Sequence, residues 1–266
     1  MTRRSEVVAT ADEIAATSAR NHLREGEQWR NERYKWPKNL PPLTAEQQAI
    51  SDDFMRRWLA ALPKKYGAIS RFNHHYPTRF LPQQAQFRTI EIGAGDGEHL
   101  AVEQLGRQDY HCIELRKNVA DVLRRRFPSA TTTIANCQDV LPYPDKYFDR
   151  ALAIHVLEHL PRLPDAISEL RRILRPGGIL SIVIPCDPGL AYGLARKISA
   201  ERMFKKLYEM PYDWLIRREH INSPAEILTL LRANFVEVDR AYFPSGIPVL
   251  NLNLVIGATF RKCLRS

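Results

Sequence analysis

Apolar positions recur at two different periods along this chain, and the change of period marks its elements. Ile50, Phe54, Trp58 and Leu62 fall at helical spacing, Thr44-Ala-Glu-Gln47 supplies a capping box ahead of them, and Pro63 is the expected stop. From Arg88 the pattern turns strand-like: Arg88-Thr-Ile-Glu-Ile-Gly, then Tyr110-His-Cys-Ile-Glu-Leu115, then Tyr147 to Ile154. Ile134 to Pro144 connects the second of these to the third. A helix is expected from about Pro164 to Leu174, with Ile167, Leu170 and Leu174 on one face and Arg175-Pro-Gly-Gly178 to end it. Ile179-Leu-Ser-Ile-Val-Ile184 is a near-continuous apolar run, as in a strand covered on both faces of a parallel sheet. Strands alternating with helix-compatible stretches, such as Glu98 to Gly106, predict an α/β domain with a doubly wound, mainly parallel sheet.

The chemistry concentrates where the first strand ends. Glu91-Ile-Gly-Ala-Gly-Asp-Gly97 places a carboxylate at the strand end and glycines at alternate positions, so the backbone can take positive φ and a ligand can lie close to it. A dinucleotide loop reads G-x-G-x-x-G and faces a pyrophosphate. Here the spacing is G-x-G-x-G after an acid, which suits a ligand with ammonium or sulfonium charge, and the cofactor implied is S-adenosylmethionine. Glu114, at the end of the second strand and about 20 residues past the loop, is placed to accept both ribose hydroxyls.

The order of these segments resembles the class I S-adenosylmethionine-dependent methyltransferases, in the broad group with E-I-G-x-G-x-G, L-P-x-P-D-x-x-F-D, V-L-E-H and L-R-P-G-G signatures. The resemblance is close from Arg88 to Asp187 and weaker through Glu219 to Ile227 and Asn234 to Asp239. It implies a seven-stranded Rossmann-like methyltransferase sheet, with Asn251 to Phe260 as a terminal antiparallel strand. It also implies cofactor contacts from Glu91, Gly93, Ala94, Gly95, Asp96, Gly97, Glu114, Leu115, Cys137, Gln138, Asp139 and His155. One position departs from the pattern, since Cys137 stands where the family commonly has the Asp that accepts from the adenine amino group. Asn136, Gln138 or Asp139 are the alternative acceptors.

The expected organisation is an amino-terminal extension, partly disordered, over 1–43, a helical cap over 44–87, a methyltransferase domain over 88–260 and a tail over 261–266. A helical insertion after strand five, 187–218, faces the substrate side of the domain. Cys112, Cys137, Cys186 and Cys263 are scattered, which fits a reducing, cytoplasmic setting, and no apolar run is long enough to span a bilayer. The net charge of +9 is unevenly spread. Residues 1 to 87 carry 14 basic and 9 acidic side chains, 88 to 187 carry 13 and 14, and 188 to 266 carry 12 and 7. The excess lies in the flanks that shape an acceptor site, and an anionic partner or a solubility charge explains it.

The insertion carries Arg196, Lys197, Arg202, Lys205 and Lys206 beside Leu194, Ile198, Met203 and Phe204. That pattern fits either peripheral contact with an anionic membrane surface or a lid with a solvated basic face. Met210 to His220 then gathers aromatics, Asp213, two arginines and His220. Methyl transfer to a hydroxyl needs a proton acceptor within reach, and the candidates are His155, His220 and Asp213. His74-His-Tyr76, with Arg71 and Arg79, lies between the cap helix and strand one and is read mainly as packing. His155-x-x-Glu158-His159 matches the H-x-x-E-H peptidase pattern, but it begins at a strand end rather than on a helix. No metal is assigned, although a divalent ion assisting O-methyl transfer through these residues is a second reading. Pro185-Cys186 resembles the nucleophile of RNA carbon-5 methyltransferases without their partner motifs, and the Asn/Asp-Pro-Pro-Tyr signature of amino methylation is missing after strand four. The expected activity is O-methylation of a small-molecule or lipid-linked, phosphorylated saccharide, with an RNA methyltransferase and a non-catalytic cofactor-binding scaffold as alternatives.

Overall fold

The computed structural model describes residues 35–40, 42–65 and 67–264. Most of the expected amino-terminal extension lies outside the described residues.

Seven strands form one sheet: β1 (Phe87–Ile92), β2 (Gln108–Glu114), β3 (Thr131–Ile134), β4 (Phe148–Ile154), β5 (Leu174–Pro185), β6 (Val236–Pro244) and β7 (Asn253–Arg261). Their order is β3-β2-β1-β4-β5-β7-β6. The pairs among β1 to β5 are parallel, and β7 runs antiparallel to both β5 and β6. The strand order reverses between β1 and β4, so the connections leaving their carboxyl ends part to opposite sides and leave a crevice there. The glycine loop after β1 and His155 after β4 stand at that crevice.

Alternation within the strands fills both faces. Ile90, Ile92, Ile182 and Ile184 pack with Ile167, Leu170, Ile227 and Leu231 from α4 (Leu163–Ile173) and α8 (Pro224–Asn234). On the other face Tyr110, Cys112 and Leu152 meet Leu123 of α3 (Lys117–Arg126). Tyr76, just after α2 (Gly67–His75), lies on Val183 and Val255, and its ring is so close to Gly257 that a Cβ there would sit 2.5 Å from it. The helix α8 begins as its sequence specifies: Ser223 caps it in a reciprocal capping box with Glu226, and Pro224 occupies the first turn where no amide donor is needed. Trp36 and Lys38 tie the preceding segment to this point through Asn222 at 3.1 Å and Glu226 at 2.6 Å.

The insertion comprises α5 (Leu190–Arg196), a π turn (Lys197–Glu201), α6 (Arg202–Tyr208) and α7 (Asp213–Glu219). Its first helix lies against β7, with Tyr192 on the main core, and the rest packs on α1 (Ala45–Lys65), with Phe54 at the centre of Phe204, Tyr208 and Tyr212.

Three elements differ from the sequence expectation. Helix α1 continues two residues beyond Pro63. Strand β5 starts at Leu174, so Arg175 to Gly178 are absorbed into it, with a register shift where Phe148 pairs Leu174 and Arg150 pairs Ile179. The stretch Glu98 to Gly106 is not an α-helix but two 3-10 turns, Leu100–Val102 and Leu105–Arg107. A buried ion network runs through this stretch. Arg150, fully buried on β4, donates to Glu103 at 2.8 Å and to the Pro77 carbonyl at 3.0 Å, and His99 stands 2.7 Å from the same carboxylate. The crossover is thus held to the sheet at His99 and Glu103.

Candidate functional site

The loop leaving β1 is shaped by positive φ at Gly93 (66°), Gly95 (56°) and Gly97 (87°). Two of these glycines also answer to crowding. A Cβ at Gly93 would lie 2.4 Å from Val156, and one at Gly97 would lie 2.4 Å from the Phe127 ring. A Cβ at Gly95 would meet nothing within 4 Å, so the loop leaves open space at its middle. Glu114 closes the loop from β2: its carboxylate accepts from the Gly95 amide at 3.2 Å and from the Arg116 amide at 3.0 Å. Leu115 follows with 64% of its surface exposed, an apolar ledge beside the acid. These features fit a nucleoside: an open backbone floor, an acid at the end of β2 whose carboxylate is buried against the loop, and an apolar ledge for a base.

The other residues expected around the cofactor divide. Ala94 is buried under the loop, and Asp96 is exposed and pairs with Arg126 at 3.1 Å. Glu91 stands apart from the open side. It is 2% exposed, it accepts from the Tyr110 hydroxyl at 2.8 Å, and burial pushes its pKa up. Strand alternation is the reason, because Glu91 shares its face with Thr89 and Arg150 rather than with the loop. Its carboxylate therefore lies on the buried face of β1, against Tyr110. Cys137 is half-buried, and desolvation raises its thiol to about 12. Gln138 and Asp139 reach Arg162, Gln138 through the Arg162 amide at 2.7 Å and Asp139 through the guanidinium. The Asn136 carboxamide oxygen accepts from the Gln138 amide at 3.0 Å.

Beyond β4 the chain turns at His155 in the left-handed region, φ 52°, with its amide held by the Val183 carbonyl at 2.9 Å. A non-glycine residue there stores strain, and His is among the few types enriched in it. His155 Nδ1 lies 3.2 Å from Glu158 Oε1, and Glu158 is followed by His159, whose Nδ1 meets the Glu219 carbonyl. From the end of the insertion His220 brings its ring to 5.5 Å from His159 and places Nδ1 2.9 Å from Asp187. Arg196 reaches the same Asp187 oxygen at 3.0 Å. Burial pushes the Asp187 carboxyl up, but His220 and Arg196 more than offset it and hold it below its ordinary value. Burial also opposes ionisation of Glu158, yet the surrounding His159, His155 and His220 hold it at about 2.

The structure therefore brings His155 and His220 to one cluster at the carboxyl edge of β4 and β5. Asp213 is not part of it: it is exposed at the first turn of α7, where an acid favours the helix dipole. The acid beside His220 is Asp187, which sequence reading missed because 33 residues separate the pair. His74 also reaches further than expected, with Nε2 3.1 Å from Glu98 just after the glycine loop. Cys186 is fully buried, and burial raises its thiol to about 12, which leaves it inert as a nucleophile.

Residues 90–182 match the family model of a methyltransferase domain. The sheet order is that of the Rossmann-like methyltransferase fold, and the matched residues run from β1 into β5 of that sheet, across the glycine loop. The chain is 36% identical over 104 residues to the 23S rRNA (guanine(748)-N(1))-methyltransferase of Streptomyces fradiae, covering 38% of this chain and 35% of that one. It is 26% identical over 140 residues to the malonyl-acyl-carrier-protein O-methyltransferase of Halorhodospira halophila, covering 49% and 48%. The chain thus spans about half or less of the length of these curated relatives. Among solved structures, an S-adenosylmethionine-dependent methyltransferase of Thermotoga maritima shares the fold with a TM-score of 0.54 at 19% identity, over 80% of this chain and 99% of that one.

Proposed function

We propose that this chain transfers the methyl group of S-adenosylmethionine to a hydroxyl of a small-molecule or lipid-linked, phosphorylated saccharide. The observation that carries the reading is the convergence of His155 and the His220–Asp187 pair beside the crevice that the glycine loop opens. S-adenosylmethionine supplies an electrophilic methyl group, so the protein's work is alignment, exclusion of water and removal of one proton. Gly93 to Gly97 form the floor for the nucleoside, Glu114 accepts from its ribose, Leu115 lies along the base, and Gln138 and Asp139 stand at its amino edge. His155 takes the acceptor's proton: with Nδ1–H directed at Glu158, Nε2 is left as the basic nitrogen. Asp187 fixes the ring of His220 in the same manner.

Surface chemistry supports an anionic, lipid-linked acceptor. Leu190, Leu194 and Ile198 form a stripe at i, i+4 and i+8 that is 75%, 63% and 68% exposed. Lys197, Arg202 and Lys206 are exposed beside it. The loop between β6 and β7 adds exposed Ile247, Val249 and Leu252, and it is tied to the start of α5 by the Asn251 side chain accepting from Leu190 N at 3.2 Å. Apolar residues flanked by lysine and arginine suit the headgroup boundary of an anionic membrane. Among the described residues no helix is long and apolar enough to cross one.

The likeness to an rRNA methyltransferase, together with the basic flanks, favours RNA as the second reading. Incubation with methyl-labelled cofactor and separate phosphosaccharide, glycolipid and RNA fractions tests the choice. Label in either of the first two supports the proposal. Label in RNA, with binding that falls steeply with salt, replaces it with the second reading. Cofactor binding without transfer to any fraction leaves the non-catalytic scaffold.

A further inference from the structure

The carboxylate of Glu158 poses a problem that the methyl-transfer reading leaves open. It is 1% exposed, and its Oε2 has no hydrogen-bond partner. An ionised carboxylate with an unpaired oxygen sealed from water is costly, and buried polar atoms of this kind are nearly always satisfied. What surrounds it is a set of donors suited to a cation. One ligating atom each from Glu158, His159 and His220 lies within 4.8 Å of the other two.

The two imidazoles are also oriented from behind. His159 Nδ1 is engaged by the Glu219 carbonyl, and His220 Nδ1 by Asp187 at 2.9 Å. If each Nδ1 carries the proton, both Nε2 atoms are free lone pairs, and His159 Nε2 lies 3.8 Å from Glu158 Oε1. Ligating histidines characteristically donate their other N–H to a carboxylate or carbonyl in this way, which fixes the tautomer and raises the basicity of the ligand. Both rings are half-buried, so an ion can reach them from solvent.

We propose that Glu158, His159 and His220 form a site for a first-row divalent cation, with Asp187 and the Glu219 carbonyl as its orienting partners. Two imidazoles and one carboxylate, with coordination positions left for solvent or substrate, match Mn2+, Co2+ or Zn2+ better than the all-oxygen preference of Ca2+ or Mg2+. The site's ligand set is not the one the H-x-x-E-H spacing suggests. Leu157–His159 is a 3-10 turn and His155 is left-handed, so the second imidazole comes from His220, far along the chain. His155 stays outside the proposed ligand set, available for the proton. The use of the ion rests on the function proposed above: it would draw hydroxyl or phosphate oxygens of the acceptor to the carboxyl edge of β4.

Tag-free, chelator-stripped full-length chain titrated with Co2+, followed by calorimetry and visible absorption, tests the site. One equivalent should bind and give ligand-field absorption. His220→Gln and His159→Gln should each weaken binding by at least about tenfold, and Asp187→Asn by about 10- to 100-fold, while affinity for S-adenosylhomocysteine stays near that of the parent. Should His159→Gln fail to fold, His220→Gln and Asp187→Asn carry the test. The proposal is overturned if the parent takes up no stoichiometric Co2+, or if His220→Gln binds it as tightly as the parent. Loss of homocysteine-nucleoside binding by the parent would instead strike at the methyltransferase reading and leave the metal result standing.

Discussion

Replacing Gly95 by Ala separates a ligand floor from a merely tight turn. Gly95 sits at φ 56°, where an L residue costs about 1–2 kcal/mol, and its added Cβ would meet nothing within 4 Å. The amide that Glu114 accepts survives the change. Gly97→Ala carries the same backbone cost and drives a methyl to 2.4 Å from Phe127 and 2.8 Å from Leu123, so overpacking adds about 1–3 kcal/mol. Urea unfolding should therefore rank Gly97→Ala as the more destabilised of the two. Binding should show the opposite of what stability suggests. The methyl at position 95 enters the space assigned to the nucleoside, and calorimetry with S-adenosylhomocysteine should show a loss of at least about tenfold, or about 1.4 kcal/mol. If Gly95→Ala keeps parental affinity while losing only stability, the open space above the loop is not where the nucleoside lies.

Glu103→Gln leaves the fully buried Arg150 without its charge partner and should cost about 3–5 kcal/mol in urea unfolding. Burial pushes the Glu103 carboxyl up, but His99 and Arg150 more than offset this and hold it at about 2 against an ordinary 4.5. Its contribution is therefore present above pH 4.5 and lost as pH falls from there towards 2, and the variant should show a shallower loss across that window; an unchanged slope would refute the assignment. His155→Asn, which also tolerates a left-handed backbone, should slow turnover strongly with little change in cofactor affinity, and equal loss of both would make His155 a positioning residue only. Leu194→Glu with Ile198→Glu should weaken co-sedimentation with anionic vesicles and leave unfolding nearly unchanged, since both side chains are exposed; undiminished co-sedimentation would remove the stripe from the membrane reading.

Much of the fold was legible because it depends on local pattern. The alternation in Arg88 to Ile92 and the continuous apolar run Ile179 to Ile184 translate directly into β1 and β5. The glycine loop was legible because its spacing is a statement about backbone φ. What escaped depended on partners distant in sequence. His99 and Glu103 look like ordinary exposed polar positions until Arg150, from β4, is seen to hold them in the interior. Glu91 resembles a ligand until strand alternation turns it towards Tyr110. Asp187 sits at the first residue of the insertion and His220 just past its end, so their pairing exists only once α5 to α7 have folded back. Asp213 is the nearer acid in sequence, but it is exposed in the first turn of α7.

The central claim is that a sulfonium nucleoside binds at the loop after β1, clasped by Glu114. Titration of S-adenosylhomocysteine into the full-length chain by calorimetry tests it most directly, with a nicotinamide dinucleotide run in parallel. A saturable one-to-one heat with the first compound and none with the second is the predicted result. No heat with the first, or tight binding of the dinucleotide in its place, would contradict the account.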